Sequence, residues 1–303
     1  MSSGKGIQQQ IDHGAVVSHV NNVAPAGTKM WILEVGWLEA DEGFVIRGGN
    51  TSLNSTKDRS FVNKRRQLPM YCVLIEVPGE GCILWETGSG KDYPEVWGSQ
   101  VADVFSRVKY EARHELDAAI EATGHKLEDV KKIIIGHLHL DHAGGLDMFL
   151  DRDDVEIWVH DLELRSAFWS VATKADVGVY LKHYLKLGLN WKTFDERTMD
   201  FCQGITLHHL PGHTDGLIGM QVNLPDSGTF LFISDHCHVI ENWRDGIPQG
   251  WLARDHPAWF RSTQRLKQLE RQTRGRVIPG HDEETFLNLQ KEADRQPQKG
   301  VFT

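Results

Sequence analysis

The sequence is poor in cysteine. Only Cys72, Cys82, Cys202 and Cys237 occur among 303 residues, with no C-x-x-C pair and no dense spacing. That argues against a disulfide framework, and reduced thiols in a cytoplasmic protein are the expectation. Long hydrophobic runs are also missing. No stretch approaches 18 consecutive apolar residues, so no membrane-spanning helix is expected. The opening segment from Met1 to Gly14 is polar and lacks an apolar run of signal-peptide length. Positive charge is in deficit: 33 Lys and Arg face 42 Asp and Glu, a formal charge of −9. Affinity for nucleic acid comes mostly from neutralising phosphates, so this balance disfavours a dedicated nucleic-acid binder. Internal repeats and low-complexity tracts are absent, and no linker marks a clean domain boundary. One domain over residues 1–303 is therefore expected.

What is abundant is histidine, with 16 residues, and tryptophan, with 10. Neutral imidazole is the commonest metal ligand among side chains, so the histidines are the feature to explain. The rest of the composition, 40% hydrophobic and 25% charged, is ordinary for a soluble globular chain.

Hydrophobic patterning predicts strands at Met30–Val35, Met70–Val77 and Cys82–Trp85, the last two joined by Pro78-Gly79-Glu80-Gly81. Val101–Thr123 has helical spacing, with Gly124 as its stop. Short strands follow at Ile133–Ile135 and Val155–Val159, and Leu162–Gly188 reads as mostly helical. Strands are predicted at Ile205–Leu210, Leu217–Leu224, Thr229–Ile233 and Arg276–Ile278. Helices are predicted after Asp255-His256-Pro257 and over Glu283–Ala293. Residues 41–67, polar and carrying Gly48-Gly49, read as a long loop and a candidate pocket wall. Early hairpins followed by strand–helix units imply an α/β chain with helices outside buried sheets.

The decisive segment is Ile133-Ile134-Ile135-Gly136-His137-Leu138-His139-Leu140-Asp141-His142-Ala143-Gly144-Gly145. A buried strand ends at Gly136, and four metal-capable side chains follow within six residues. His137 and His139, two apart in an extended turn, can point to one side. Asp141 and His142 can face a second direction, which suits two adjacent ions better than one closed tetrahedral site. By composition alone, such a segment arises in about three chains per thousand. Two strand–Pro–Gly–His turns add His213 and His281, and the apolar strand Phe232-Ile233-Ser234 ends on Asp235, an acid costly to bury without a cation.

From about Tyr71 to His281 these residues resemble the metallo-β-lactamase superfamily. The resemblance implies a four-layer αβ/βα sandwich of two mixed β-sheets flanked by helices, with metal loops at one edge. It implies a first metal on His137, His139 and His213, a second on Asp141, His142 and His281, and Asp235 bridging them. Two divalent ions are implied, zinc first, with iron, manganese or cobalt as alternatives.

The branch most similar is the cytosolic N-acyl homoserine lactonases, which share the His-Leu-His-Leu-Asp-His-Ala-Gly-Gly segment and a helical insertion, expected here at about 161–200. This chain departs from the family in three places. Glu86-Thr87-Gly88 stands for the usual Asp-Thr-Gly, where Glu86 could support a ligand histidine with a longer arm. Leu217 stands near a usual second His or Ser. His238 stands three residues after Asp235, where the lactonases carry a substrate-contacting Tyr.

The reaction implied is hydrolysis of a cyclic ester or cyclic amide by a metal-bridging hydroxide. Asp141 would carry a proton to the leaving group, and His238 would contact the carbonyl or leaving group. His236 is expected to be structural, and Cys237 an inert buried thiol. Phe168, Trp169, Tyr180, Tyr184 and Trp191, and then Trp243, Trp251, Trp259 and Phe260, form two aromatic groups. Part of the second group, lying in loops, is a candidate pocket wall. The expected partner is a small, neutral, apolar or aromatic cyclic substrate, with no nucleic acid and no membrane. The alternatives are a mononuclear-iron oxygenase similar to the persulfide dioxygenases and a thioesterase of the glyoxalase II kind.

Overall fold

Ile133 and Ile135 turn to one face of their sheet and Ile134 to the other, and all three are completely buried. A strand buried on both faces needs cover on both. The computed structural model, which describes residues 20, 22–50, 63–176 and 178–303, supplies that cover with two mixed sheets packed face to face and helices outside them. The larger sheet has seven strands, β1 (Lys29–Asp41), β2 (Arg65–Val77), β3 (Gly81–Trp85), β4 (Ser106–Lys109), β5 (Val130–Ile134), β6 (Glu156–His160) and β7 (Trp191–Phe194), in the order β4-β1-β2-β3-β5-β6-β7. The smaller has β8 (Thr198–Cys202), β9 (Ile205–His209), β10 (Ile218–Leu224), β11 (Gly228–Phe232) and β12 (Arg276–Ile278), in the order β12-β11-β10-β9-β8. β3, β5, β6 and β7 pair in parallel, as do β11 and β12; the other pairs are antiparallel.

The helices are α1 (Glu42–Val45), α2 (Ser99–Val104), α3 (Leu116–Glu121), α4 (Asp161–Thr173), α5 (Ile240–Arg244), α6 (His256–Thr273) and α7 (Glu283–Ala293). Val73, Ile75, Ile83, Met220, Val222 and Phe230 fill the space between the sheets. Leu74, Leu84, Ile133 and Ile157 pack outward with Ala119, Ile120 and Ala167 of the helices. Leu231, Ile233 and Leu210 pack under Trp259 and Leu266 of α6. Among the described residues no helix is long and apolar enough to cross a membrane.

Three local expectations differ from the structure. The single helix over Val101–Thr123 is instead α2, strand β4 and α3. The open edge of β1 takes up that stretch, pairing Leu38 with Arg107 and Trp37 with Lys109. The helical reading of Leu162–Gly188 holds only to Thr173, where Lys174 turns left-handed at φ 60° and ends α4. Turns follow, and Trp191–Phe194 then extends the large sheet. The long loop is shorter than predicted: α1 occupies its start and β2 begins at Arg65, while residues 51–62 and the segment Met1–Gly14 lie outside the described residues. The four cysteines are free, three of them buried. Burial raises the Cys237 thiol well above its ordinary range.

Candidate metal centre

Five chain segments leave the ends of β3, β5, β9, β11 and β12 and meet at one edge of the sandwich. The turn after β5 brings His137 and His139 beside His213, from the turn after β9. His213 Nε2 lies 3.2 Å from His137 Nε2 and 3.2 Å from His139 Nδ1. Metal–nitrogen bonds of about 2.0–2.1 Å place tetrahedral ligand nitrogens about 3.3 Å apart, so these spacings fit one ion. Asp141, His142 and His281 form a second group. His281 Nε2 is 3.4 Å from Asp141 Oδ2, and His142 Nε2 is 3.8 Å from Asp141 Oδ1.

Asp235 stands between the groups and divides its oxygens. Oδ1 is 3.0 Å from His281 Nε2 and 3.4 Å from His142 Nε2. Oδ2 is 3.6 Å from His213 Nε2, 3.8 Å from His137 Nε2 and 3.2 Å from His238 Nε2. The seven residues singled out as metal ligands thus lie together, with His238 at their rim. His142 Nε2 and Asp235 Oδ1 are fully buried without a hydrogen bond, as are both ring nitrogens of His238. Buried polar atoms without partners are costly, and cations shared by the two groups would satisfy those of His142 and Asp235.

Burial holds His137, His139 and His213 well below the ordinary histidine range, so they stay neutral with lone pairs free. At His142 burial also opposes charge, but Glu86, Asp141 and Asp235 outweigh it and raise the pKa well above the usual value. His281 is raised in the same way, against burial, by Asp235 and Asp141. Burial pushes the Asp235 carboxyl up, but His281, His142 and His238 outweigh it and hold it well below the carboxylate range. The second group therefore draws positive charge into the site.

Four of the five candidate ligand rings are oriented from behind, as metal-binding imidazoles usually are, whereas His139 Nε2 is buried without a hydrogen-bond partner. His142 Nδ1 is 3.2 Å from Glu86 Oε1, the longer arm doing the orienting. Glu86 also accepts from Ser234 Oγ at 2.9 Å and from the Gly136 N–H at 3.2 Å. Gly136 has to be glycine, since a Cβ there would stand 2.6 Å from Ser234 Oγ. His137 Nδ1 lies 3.3 Å from Ser234 Oγ, His281 Nδ1 is 3.0 Å from the Pro69 carbonyl, and His213 Nδ1 is 3.3 Å from Gln249 Oε1. The Gln249 amide in turn donates to the Asp235 and His236 carbonyls. Nothing in the sequence marks Ser234 or Gln249, because their partners are distant in the chain.

A narrow pocket opens over the cluster, with His139, Asp141, Asp235, His238 and His281 at its polar end. Its other walls are Leu38, Val45, Leu68, Phe105, Leu140, Val179 and Leu252. Val45 comes from the stretch expected to supply a wall. The tryptophans expected there do not. Trp243 and Trp259 are buried under the small sheet, whereas Trp251 is 79% and Phe260 56% exposed. In the first aromatic group Tyr180 lies edge-on to His139, with ring centroids 4.8 Å apart. Tyr184 is bonded to Asp92 and Trp97, and Trp169 is exposed. His236 is structural, bonded to Thr263 and stacked on Trp259.

A two-sheet α/β sandwich carrying such a cluster at one edge defines a metal-dependent hydrolase. The model of the metallo-beta-lactamase superfamily matches residues 65–281, and the chain belongs to that superfamily. N-acyl homoserine lactonase AiiB of Agrobacterium fabrum is 24% identical over 277 residues, covering 88% of this chain and 98% of its own. An N-acyl homoserine lactonase of Bacillus cereus is 29% identical over 234 residues, 74% of this chain and 88% of its own. The structure of Bacillus thuringiensis AiiA with N-decanoyl-L-homoserine at its active site has the same fold. Its TM-score is 0.71 at 24% identity, covering 86% of this chain and 95% of that one. AidC, a dizinc quorum-quenching lactonase, matches with a TM-score of 0.61 at 16% identity, covering 85% and 88%.

Proposed function

We propose that this chain opens a cyclic ester, a lactone, and that it does so with two divalent ions, zinc first. The observation that carries the reading is Asp235, whose two oxygens turn to two separate ligand groups at the end of an apolar cavity. His137, His139 and His213 would hold one ion, Asp141, His142 and His281 the other, with Asp235 shared. Ions held this way supply a deprotonated water at neutral pH and polarise the ester carbonyl.

The chain's own residues do the rest. Leu38, Val45, Leu68 and Phe105 take up the apolar part of the substrate and exclude water. Asp141, which faces the cavity, moves the proton to the leaving ring oxygen. His238, whose Nε2 lies 3.2 Å from Asp235 Oδ2, would contact the carbonyl or leaving oxygen from the position at which similar lactonases carry a Tyr. Oriented donors aimed at developing negative charge are often the largest catalytic contribution. The aliphatic wall favours acylated lactones, such as the N-acyl homoserine lactones named for its relatives, over flat aromatic rings.

The test is a panel of lactones and matched lactams given to zinc-loaded protein, with ring-opened acid read by mass spectrometry. The expected result is opening of acylated lactones faster than lactams. No opening of either class overturns the reading.

A further inference from the structure

Glu163, in the first turn of α4, is completely buried and lies outside the cluster just described. Its Oε1 accepts from the Leu138 N–H at 2.9 Å and from the Tyr180 hydroxyl at 3.0 Å. Its Oε2 accepts from Thr214 Oγ1 at 2.6 Å, and the Gly216 N–H is a fourth donor. Leu138 is the residue between His137 and His139, and Thr214 follows His213. One carboxylate therefore ties both turns that supply the three-histidine group. Tyr180, held by the same carboxylate, packs its ring against His139. Among the described residues, no comparable contact runs from Glu163 to Asp141, His142 or His281.

We propose that Glu163 is the positioning residue of the three-histidine group: it sets the gap between two turns of the chain, and with it the metal affinity of that group alone. The inference rests on the reading that the cluster holds two ions. It goes further in assigning a separate support to one of them. Glu86 touches its ligand ring directly, whereas Glu163 acts only through backbone and hydroxyl donors. Charged-group hydrogen bonds are strong, and four on one buried carboxylate leave its turns little freedom.

The experiment uses the full chain loaded with cobalt(II), titrated with a chelator while cobalt per chain and the visible absorption are followed. His213→Ala and His281→Ala provide reference spectra for loss of one group or the other. Glu163→Ala should release one ion at about 10–100-fold lower chelator. The remaining spectrum should match His213→Ala, with the second ion held as in the wild type. Glu163→Gln, which keeps an acceptor for Leu138, should recover most of the loss. Equal weakening of both ions, weakening of neither, or a His281→Ala-like spectrum overturns the proposal. Circular dichroism of the metal-free variants reports folding, and if Glu163→Ala fails to fold, Thr214→Val is read by the same criteria. A wild-type chain holding fewer than two cobalt ions overturns the two-ion reading and this proposal with it. Two ions in the wild type with joint loss in the variant overturns the proposal alone.

Discussion

Three imidazoles, kept neutral by burial, form one half of the cluster, whereas in the other half burial is outweighed, by Glu86, Asp141 and Asp235 at His142 and by Asp235 and Asp141 at His281, and both histidines are raised. The first half offers geometry without charge: its nitrogens already stand 3.2 Å apart. The second offers charge, and its carboxylates draw in protons when no other cation is there. Asp235 reconciles the halves by giving an oxygen to each. A buried site of seven neutral ligands would bind cations by shape alone, and one of seven acids would be too costly to desolvate. Dividing the two materials, and sharing one acid between them, avoids both extremes.

The comparison breaks most completely at the shared residue. Asp235→Ala should release both ions together and lower kcat/KM beyond the roughly 10³-fold that loss of one oxyanion donor costs. Elemental analysis after gel filtration checks it; retention of one full equivalent would show that the halves stand independently. Next in size is His238, which leans on the Asp235 oxygen facing the three-histidine half. His238→Phe should leave two ions bound, lower kcat by about 10²–10³-fold and change KM little. His238→Tyr should regain part of the loss through its hydroxyl. Loss of an ion in His238→Phe would instead make this residue a ligand.

The candidate metal cluster was legible in the sequence because its residues fall in short stretches. The His137–His142 segment and the Pro-Gly-His turns each put polar side chains immediately after an apolar strand, and that local contrast survives without coordinates. The supports were only partly legible. Glu86 stood out because it replaces a family Asp, whereas Glu163 reaches Leu138 across 25 residues, Gln249 reaches His213 across 36, and Ser234 reaches His137 and Glu86 across 97 and 148. The aromatic groups sort between core and cavity for a related reason. Trp243 and Trp259 are large enough to close the core under the small sheet, and the cavity was left to Leu38, Leu68 and Leu252, which come from three separate parts of the chain. The helix expected over Val101–Thr123 failed because β1 needed an edge partner, a tertiary demand that a helical period does not reveal.

A smaller effect separates the halves from the acid side. Gly136 and Ser234 donate to different oxygens of Glu86, so Glu86→Gln keeps an acceptor for one of them and removes the charge beside His142. The ion of the acid-rich half should weaken about 10–100-fold, while the three-histidine half keeps its own. Cobalt retention in a chelator series decides it, and equal weakening of both halves would mean that Ser234 transmits the change to His137.

The smallest effect comes from a carboxylate outside the cluster, and it shows whether charge near the site is special or merely charge in a fold. Glu34 on β1 accepts from Lys109 Nζ at 2.6 Å and Trp37 Nε1 at 2.6 Å. Burial pushes its carboxyl up, but those two partners outweigh it and lower the pKa to about 2, from an ordinary 4.5. A lowered carboxylate binds protons more weakly in the folded chain than in the unfolded one, so its stabilisation is complete above pH 4.5 and is lost as the pH falls towards 2. Metal-free wild type and Glu34→Gln should therefore differ in melting temperature at pH 6, and the gap should close through that window. Cobalt retention by both halves should be the same in the two proteins. A gap that stays constant with pH would assign the difference to packing on β1, and altered retention in one half would mean that the cluster feels charge from beyond its own ligands and supports.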